Sequence, residues 1–330
     1  MEEKILGALY GMALGDAMGM PSELWSRRRV KEHFGSITTF LDGPRENEIA
    51  REYQAGQFTD DTAQALLLIQ SLIATDGRPN IHHFVKKLLE WADEIHAFER
   101  NILGVSSKAA LLAIREGKSL EEAGGAGETN GAAMRIAPIG CLIPSADLKC
   151  LVDAVEETCK ATHYTDVAIA GASMIAAAVS AAIDGKSWDK LITIGKAAAH
   201  EGWQRGKETY APSLIKRLDL ALTIVKNGQD EEEILQNLYD VVGAGLHMAE
   251  SVPTALALAY YARTPLRCSQ LCANLGGDTD TIGAMATAIC GAYTGIHEID
   301  RSWIDQINSI NQVDFAPLAQ QLAVFRNAAQ

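Results

Sequence analysis

The chain has 330 residues, enough for one large core or two modest ones. Hydrophobic residues make up 48% and charged residues 22%, which excludes a disordered chain. The formal net charge of −13 excludes a nucleic-acid binder that works through its mean field.

Aromatic residues are only 6%, against fifty alanines. Alanine is the best helix former and is depleted in strands. A core of Ala and Gly requires helices packed closely, so the composition predicts an all-α protein. An anionic ligand has to overcome the acidic background, and bound divalent cations are one means of doing so.

In chain order, residues 5–18 predict a helix with Gly7, Gly11 and Gly15 on one face. Glycine there costs helix propensity, so close packing against a second helix is expected. Gly19-Met20-Pro21 ends it and leaves Glu23 in a loop. Residues 42–58 read as a surface loop. Thr59-Asp60-Asp61-Thr62 opens a helix to about Ala74, with Asp as the N-cap. Helices follow over 81–92 and 106–116, with 95–105 irregular between them. A glycine-rich loop covers 124–131, and a short helix over 132–142 contains Pro138. Further helices are predicted over 148–161, 167–183, 188–199, 213–226, 231–239, 251–262 and 266–273. Gly276-Gly277-Asp278-Thr279-Asp280-Thr281 precedes the last strongly apolar helix, and two weaker helices lie in the tail. No alternating run predicts a substantial sheet. No linker divides the halves, so one helical domain over 1–330 is expected.

Cys141, Cys150, Cys159, Cys268, Cys272 and Cys290 include no CxxC and no zinc-finger spacing, and read as reduced core thiols. The first residues lack the basic start of a signal peptide. The uncharged runs 167–183 and 281–297 fall short of a usual membrane span and read as buried helices. A cytoplasmic protein that makes no membrane contact is the expectation.

Two acidic clusters carry the chemistry. Asp60 and Asp61 are adjacent carboxylates whose charges repel, and a cation beside them removes that repulsion. Plain helix capping is the competing use of both. Asp278, Asp280 and Thr281 offer three oxygen ligands within four residues, after two glycines that permit a tight turn. Should the two helix starts converge, they supply four carboxylates and two hydroxyls. That all-oxygen set suits Mg²⁺ or Mn²⁺, shared by two ions, better than zinc. Asp16 interrupts an apolar helix and needs a partner if buried. His82-His83 reads as solvated.

These residues carry a resemblance. Gly11-x3-Gly15-Asp16-Ala17-x-Gly19, Phe58-Thr59-Asp60-Asp61-Thr62, Asn130-Gly131-x-Ala133-Met134-Arg135, Thr162-His163 and Gly276 through Gly283 resemble the ADP-ribosylglycohydrolase family, in the family's order over roughly residues 5–295. The resemblance implies a compact, orthogonal multi-helix domain with a binuclear Mg²⁺ or Mn²⁺ centre. It implies Thr59, Asp60, Asp61, Asp278, Asp280 and Thr281 as metal ligands, with Asp61 and Asp278 central to catalysis. Glu23 resembles the glutamate that activates water, and Asp16 a structural aspartate. Gly104, Ser106, Asn130, Gly131 and His163 are implied on the substrate side. The implied substrate is an ADP-ribosylated protein or another ribosyl compound.

The chain departs from the family at Gly127-Glu128-Thr129-Asn130-Gly131, where several members read Ser-x-Gly-Asn-Gly. A carboxylate at 128 facing the cleft would repel a diphosphate. Free nucleosides or other small ribosides would then replace ADP-ribosylated substrates. Phosphohydrolase chemistry at the same metals competes with glycosidic cleavage, and a non-catalytic binding or structural role competes with both.

Overall fold

The computed structural model describes residues 1–100 and 102–328. Among the described residues, seventeen α-helices and a few single turns account for the regular structure. Only three isolated β-bridges occur among the described residues, at Trp25–Gly277, Thr129–His247 and Thr165–Lys207. The expectation of an all-α protein without a sheet holds.

The centre is a pair of helices, Glu2–Gly19 and Thr279–Thr294. Both are apolar on nearly every side, the pattern of helices buried all round. They touch backbone to backbone. A Cβ on Gly7 would meet the Gly291 carbonyl at 2.4 Å, one on Gly11 the Thr287 carbonyl at 2.4 Å, and one on Gly15 the Gly283 carbonyl at 2.0 Å. The four-residue glycine spacing is therefore the contact stripe, and Gly283 and Gly291 answer it from the other helix. A third central helix, Asp166–Ile183, is buried along its whole length. Its 18 residues reach the length and apolarity that a membrane span requires, a little beyond the sequence reading, yet all lie inside the protein. The buried apolar side chains form one contiguous cluster from Ile5 to Ala323. The last helix, Ala316–Ala328, is held by the buried Arg326, which donates to the Gly140 and Ile143 carbonyls and to Asp184.

Some elements differ from the sequence reading, each for a local reason. Arg27–Phe34 is a helix that charge conceals: Val30 and Phe34 are its only apolar residues, while the Ser26 hydroxyl caps its start. Leu120–Gly124 is a short helix closed by a Ser119–Glu122 capping box. The single helix expected over 132–142 divides into a turn at Asn130–Ala132 and a helix at Ala137–Leu142. Pro138 stands in the first turn of that helix, where its missing N–H costs nothing. The loop 42–58 is not wholly on the surface, because Asn47 and Ala50 are buried. The Asn47 amide donates to the Glu23 carbonyl at 2.9 Å, tying this loop beneath Glu23. His83 is also less solvated than expected, since its Nδ1 bonds the Ser71 hydroxyl at 2.8 Å.

Gly11→Ala inserts a methyl against backbone that has no rotamer with which to yield. We expect a loss of about 1–3 kcal/mol or more in urea unfolding, whereas Gly104→Ala, in open space, leaves the midpoint unchanged within about 0.5 kcal/mol.

Candidate metal and active site

The two acidic clusters meet. The Thr59 hydroxyl donates to the Asp280 carboxylate at 3.4 Å across 221 residues of sequence. Carboxylate oxygens of Glu23, Asp278 and Asp280 lie within 4.8 Å of one another. Asp61, Asp278 and Asp280 are buried, while Glu23 and Asp60 keep some solvent contact at the floor of a cleft.

Neither cluster uses its carboxylates to cap its own helix. Thr59, not an aspartate, is the N-cap of Asp60–Ala74, and its hydroxyl accepts from the Asp61 amide. The buried Asp16 supplies the rest of the cap from another helix. Its carboxylate accepts from the amides of Thr59 at 2.9 Å and Thr62 at 3.0 Å, and from the Thr62 hydroxyl at 2.6 Å. Asp278 occupies the N-cap position of Thr279–Thr294 but makes no side-chain cap bond. It accepts instead from the Asn130 amide, which also donates to Ser251 at 3.0 Å. Asp60 accepts from Gln64 at 2.8 Å, and Gln64 in turn accepts from the buried Arg135 guanidinium at 2.6 Å.

The electrostatics ask for a cation. Two like charges 4 Å apart cost about 4 kcal/mol at an effective dielectric of about 20. A helix N-terminus returns only about 0.3–1 kcal/mol to a carboxylate. The imbalance appears in the titration of the site. Loss of hydration, with Asp16 next, pushes Asp60 up to about 7. Loss of hydration pushes Asp16 and Asp278 up to about 6. Asp61, Asp280 and Glu23 are raised well above the usual range by the same loss and then by neighbouring carboxylates. Asp61 Oδ2 and Asp280 Oδ1 are buried without a hydrogen-bond partner among the described residues. Hard oxygen donors, like charge and two orphaned lone-pair sites fit a divalent ion of the Mg²⁺ or Mn²⁺ kind.

Above the floor lies a cleft of about 370 Å³, to which Gly104, Ser107, Lys108, Thr129, Asn130 and Gly131 contribute wall. The sequence reading placed Ser106 and His163 on the substrate side; neither lines this cleft, His163 being fully buried behind it and Ser106 half-buried beside Thr129. Gly131 packs on the imidazole, so closely that a Cβ there would meet His163 Cε1 at 2.8 Å. The His163 ring is fully buried, and loss of hydration holds its pKa well below the usual value. Its Nε2 and the Ser106 hydroxyl both bond the Thr129 hydroxyl, at 3.1 and 2.9 Å. They orient the wall rather than form its surface. Glu128 turns to His247, 3.4 Å away, and does not line the cleft.

Gln64, Ser107, Lys108 and Ser251 went unnoticed in the sequence, because single polar residues on helices carry no local signal. Tyr53 is another. Loss of hydration and then the Asp60 carboxylate keep its phenol protonated well above the usual range.

The architecture matches that of a solved protein described as an ADP-ribosylglycohydrolase-related protein complex, with a TM-score of 0.70, 24% identity and 98% of each chain covered. The fold is thus all-helical, and its carboxylate cluster is a candidate metal site. The chain belongs to the ADP-ribosylglycohydrolase family, whose model matches residues 1–329. It is 50% identical to YegU of Escherichia coli (strain K12) over 325 residues, covering 98% of this chain and 97% of that protein. It is 26% identical to the ADP-ribosylhydrolase ARH3 of Bos taurus over 347 residues, covering 96% and 91% of the two chains.

Carboxylates of an unfolded chain titrate near about 4. Between about pH 4 and pH 7 the folded, metal-free protein therefore binds more protons than the unfolded chain. The stability this contributes is full below that window and is lost as pH rises through it. The melting temperature in EDTA should fall from acid to neutral pH, and Mg²⁺ or Mn²⁺ should restore it at neutral pH. Asp280→Asn removes one of the repelling charges. It should raise the neutral-pH melting temperature in EDTA and shrink the gain on adding metal.

Proposed function

We propose that this enzyme hydrolyses the ribosyl N- or O-glycosidic bond of ADP-ribosylated substrates with the help of Mg²⁺ or Mn²⁺. The observation that carries this reading is the convergence of the 59–61 and 278–281 helix starts around two unpartnered carboxylate oxygens. Thr59, Asp60, Asp61, Asp278, Asp280 and Thr281 would hold two ions. The chemistry such ions supply is a lowered pKa for bound water and a fixed orientation for ribose hydroxyls.

The chain's own groups do the remainder. Glu23, in reach of solvent and beside Asp278 and Asp280, accepts a proton from the attacking water. The water oxygen bonds to the anomeric carbon as the bond to the leaving nitrogen or oxygen breaks; that atom takes a proton from solvent, and Glu23 gives its own back to solvent, so the proton count closes. The sugar passes through an oxocarbenium-like state, which the surrounding carboxylates favour. Asn130 and Gln64 keep Asp278 and Asp60 in position. Six free cysteines, five of them buried, support a reducing, cytoplasmic setting.

The substrate assignment follows the cleft's far wall. Because Glu128 turns to His247, the repulsion that favoured substrates without a diphosphate does not act in the cleft. Lys108 contributes positive charge there instead. Small ribosides are the reading this arrangement disfavours, and ARH3 is by name a hydrolase of ADP-ribosyl groups.

Incubating the protein with ADP-ribosylated peptides and Mg²⁺, and reading products by mass, tests the proposal. ADP-ribose and unmodified peptide are expected, with no AMP and no inorganic phosphate. EDTA should abolish turnover, and Asp278→Asn should lower kcat by about 10²-fold or more while the helical circular-dichroism spectrum is unchanged. Faster release of bases from free nucleosides would overturn the substrate assignment. Near-normal turnover by metal-free D278N protein would overturn the mechanism.

A further inference from the structure

Arg135 is a whole guanidinium held inside the protein, 1% exposed, in the turn before helix Ala137–Leu142. A buried charge is costly unless it is paired. Yet the two side chains to which it donates, Gln64 and Thr162, are neutral. The Phe84 ring lies beside it, with 5.2 Å between the guanidinium carbon and the ring centroid. From Gln64 a path runs to the floor, since the Gln64 amide donates to Asp60 Oδ2 at 2.8 Å. From Thr162 a second path runs to the wall. The Thr162 hydroxyl bonds His163 Nδ1 at 2.8 Å, His163 Nε2 bonds the Thr129 hydroxyl at 3.1 Å, and Thr129 donates to Ser106 at 2.9 Å. Asp60 and Thr129 both line the cleft, so one buried cation stands behind its floor and its wall.

We propose that Arg135 is a positioning residue that fixes the metal floor and the cleft wall together and sets the direction of the hydrogen bonds leading to each. The inference rests on the metal-assisted reading above for the role of Asp60. A guanidinium has donors and no acceptor, and its planar fork reaches two partners at once. Gln64 must therefore turn its carbonyl oxygen to Arg135, which leaves its NH2 for Asp60. Thr162 must likewise accept from Arg135. Its own proton then goes to His163 Nδ1, because a buried hydroxyl without an acceptor is costly. Loss of hydration, and then the Arg135 charge, keeps the imidazole neutral. With Nδ1 accepting, Nε2 carries the hydrogen and donates to Thr129. Thr129 gives its proton to Ser106, so it has only a lone pair left to offer the cleft. That suits a donor such as a sugar hydroxyl and gives nothing to a phosphate oxygen.

Two kinds of measurement test this without relying on turnover. Long-range ¹⁵N–¹H NMR of the wild-type histidine rings, with His163→Asn to assign the signals, should show His163 as the neutral Nε2–H tautomer. An Nδ1–H tautomer, or a charged ring at neutral pH, would overturn the proposed direction. Calorimetry then separates the two paths. Gln64→Met keeps the length of the side chain and removes its polar end. It should weaken Mn²⁺ about tenfold, the low end for a group that orients a metal ligand, and leave the His163 tautomer unchanged. Thr162→Val removes only the hydroxyl. It should leave Mn²⁺ affinity within about twofold of wild type. ADP-ribose, titrated at saturating Mg²⁺, should bind that variant about tenfold more weakly. Arg135→Met should weaken both ligands, and Arg135→Lys, a point charge in place of the fork, should recover at most one of them. Should Arg135→Met fail to fold, the Gln64 and Thr162 variants still decide the matter. A merely structural Arg135 gives another pattern, in which each of those variants shifts both affinities alike or neither, and that pattern would overturn the proposal. A wild type that binds neither Mn²⁺ nor ADP-ribose would overturn the functional reading itself and the proposal with it. Both ligands bound beside the wrong tautomer would overturn the proposal alone.

Discussion

Negative charge gathered in a poorly hydrated place is the constraint around which this protein is built. Asp16, Glu23, Asp60, Asp61, Asp278 and Asp280 crowd one end of the central helix pair, and loss of hydration is the leading cause of every one of their raised pKa values. The surroundings offset only part of this. Asp16 is satisfied by the Thr59 and Thr62 amides and the Thr62 hydroxyl, and Asn130 and Gln64 each serve one carboxylate. The unmatched remainder, seen at Asp61 Oδ2 and Asp280 Oδ1, is what a hard cation would use. Stability is given up locally so that the site is ready for its ligand.

Holding such a cluster needs a frame that cannot relax apart. The contact of Glu2–Gly19 with Thr279–Thr294 provides one, because glycine faces carbonyl at successive turns and leaves no side chain to rearrange. The same contact continues to the site, where a Cβ on Gly19 would meet the Thr279 carbonyl at 2.3 Å. Asp16 and Asp280 are thereby carried on two helices that share one backbone surface. Asp16 then extends this frame to a third helix by capping Asp60–Ala74 from outside. One buried carboxylate thus joins the scaffold to the chemistry without being exposed to the cleft.

Charge is divided along the cleft. The floor is acidic, and the far wall carries Lys108 and the Ser107 hydroxyl. In a chain of net charge −13, that small positive end is a local exception to the acidic mean field. The pairing of Glu128 with His247 keeps a further carboxylate out of the wall. The segment that carries Glu128 is fixed by main-chain bonds on both sides, from the Met248 amide to the Glu128 carbonyl at 3.0 Å and from the Asn130 amide to the Leu246 carbonyl at 2.9 Å. These bonds give the loop its direction, and side-chain identity at 128 could not disclose it.

The sequence alone determined the helical class, the glycine stripe, most helix starts and the set of oxygen donors. All of these are written within a few turns of chain, in propensity, spacing and residue type. It offered no reading of Arg27–Phe34, whose charged surface hides a periodicity of only two apolar residues, and it could not see Gln64, Lys108 or Tyr53 as neighbours of the site. Only the tertiary structure decided that Asp16 caps a helix 43 residues away, that His163 stands behind the wall rather than in it, and that Asp60 lines two cavities. Those outcomes depend on how separate helices approach and which way their side chains turn when packed. No local pattern encodes that, because the partners are brought together only by the fold.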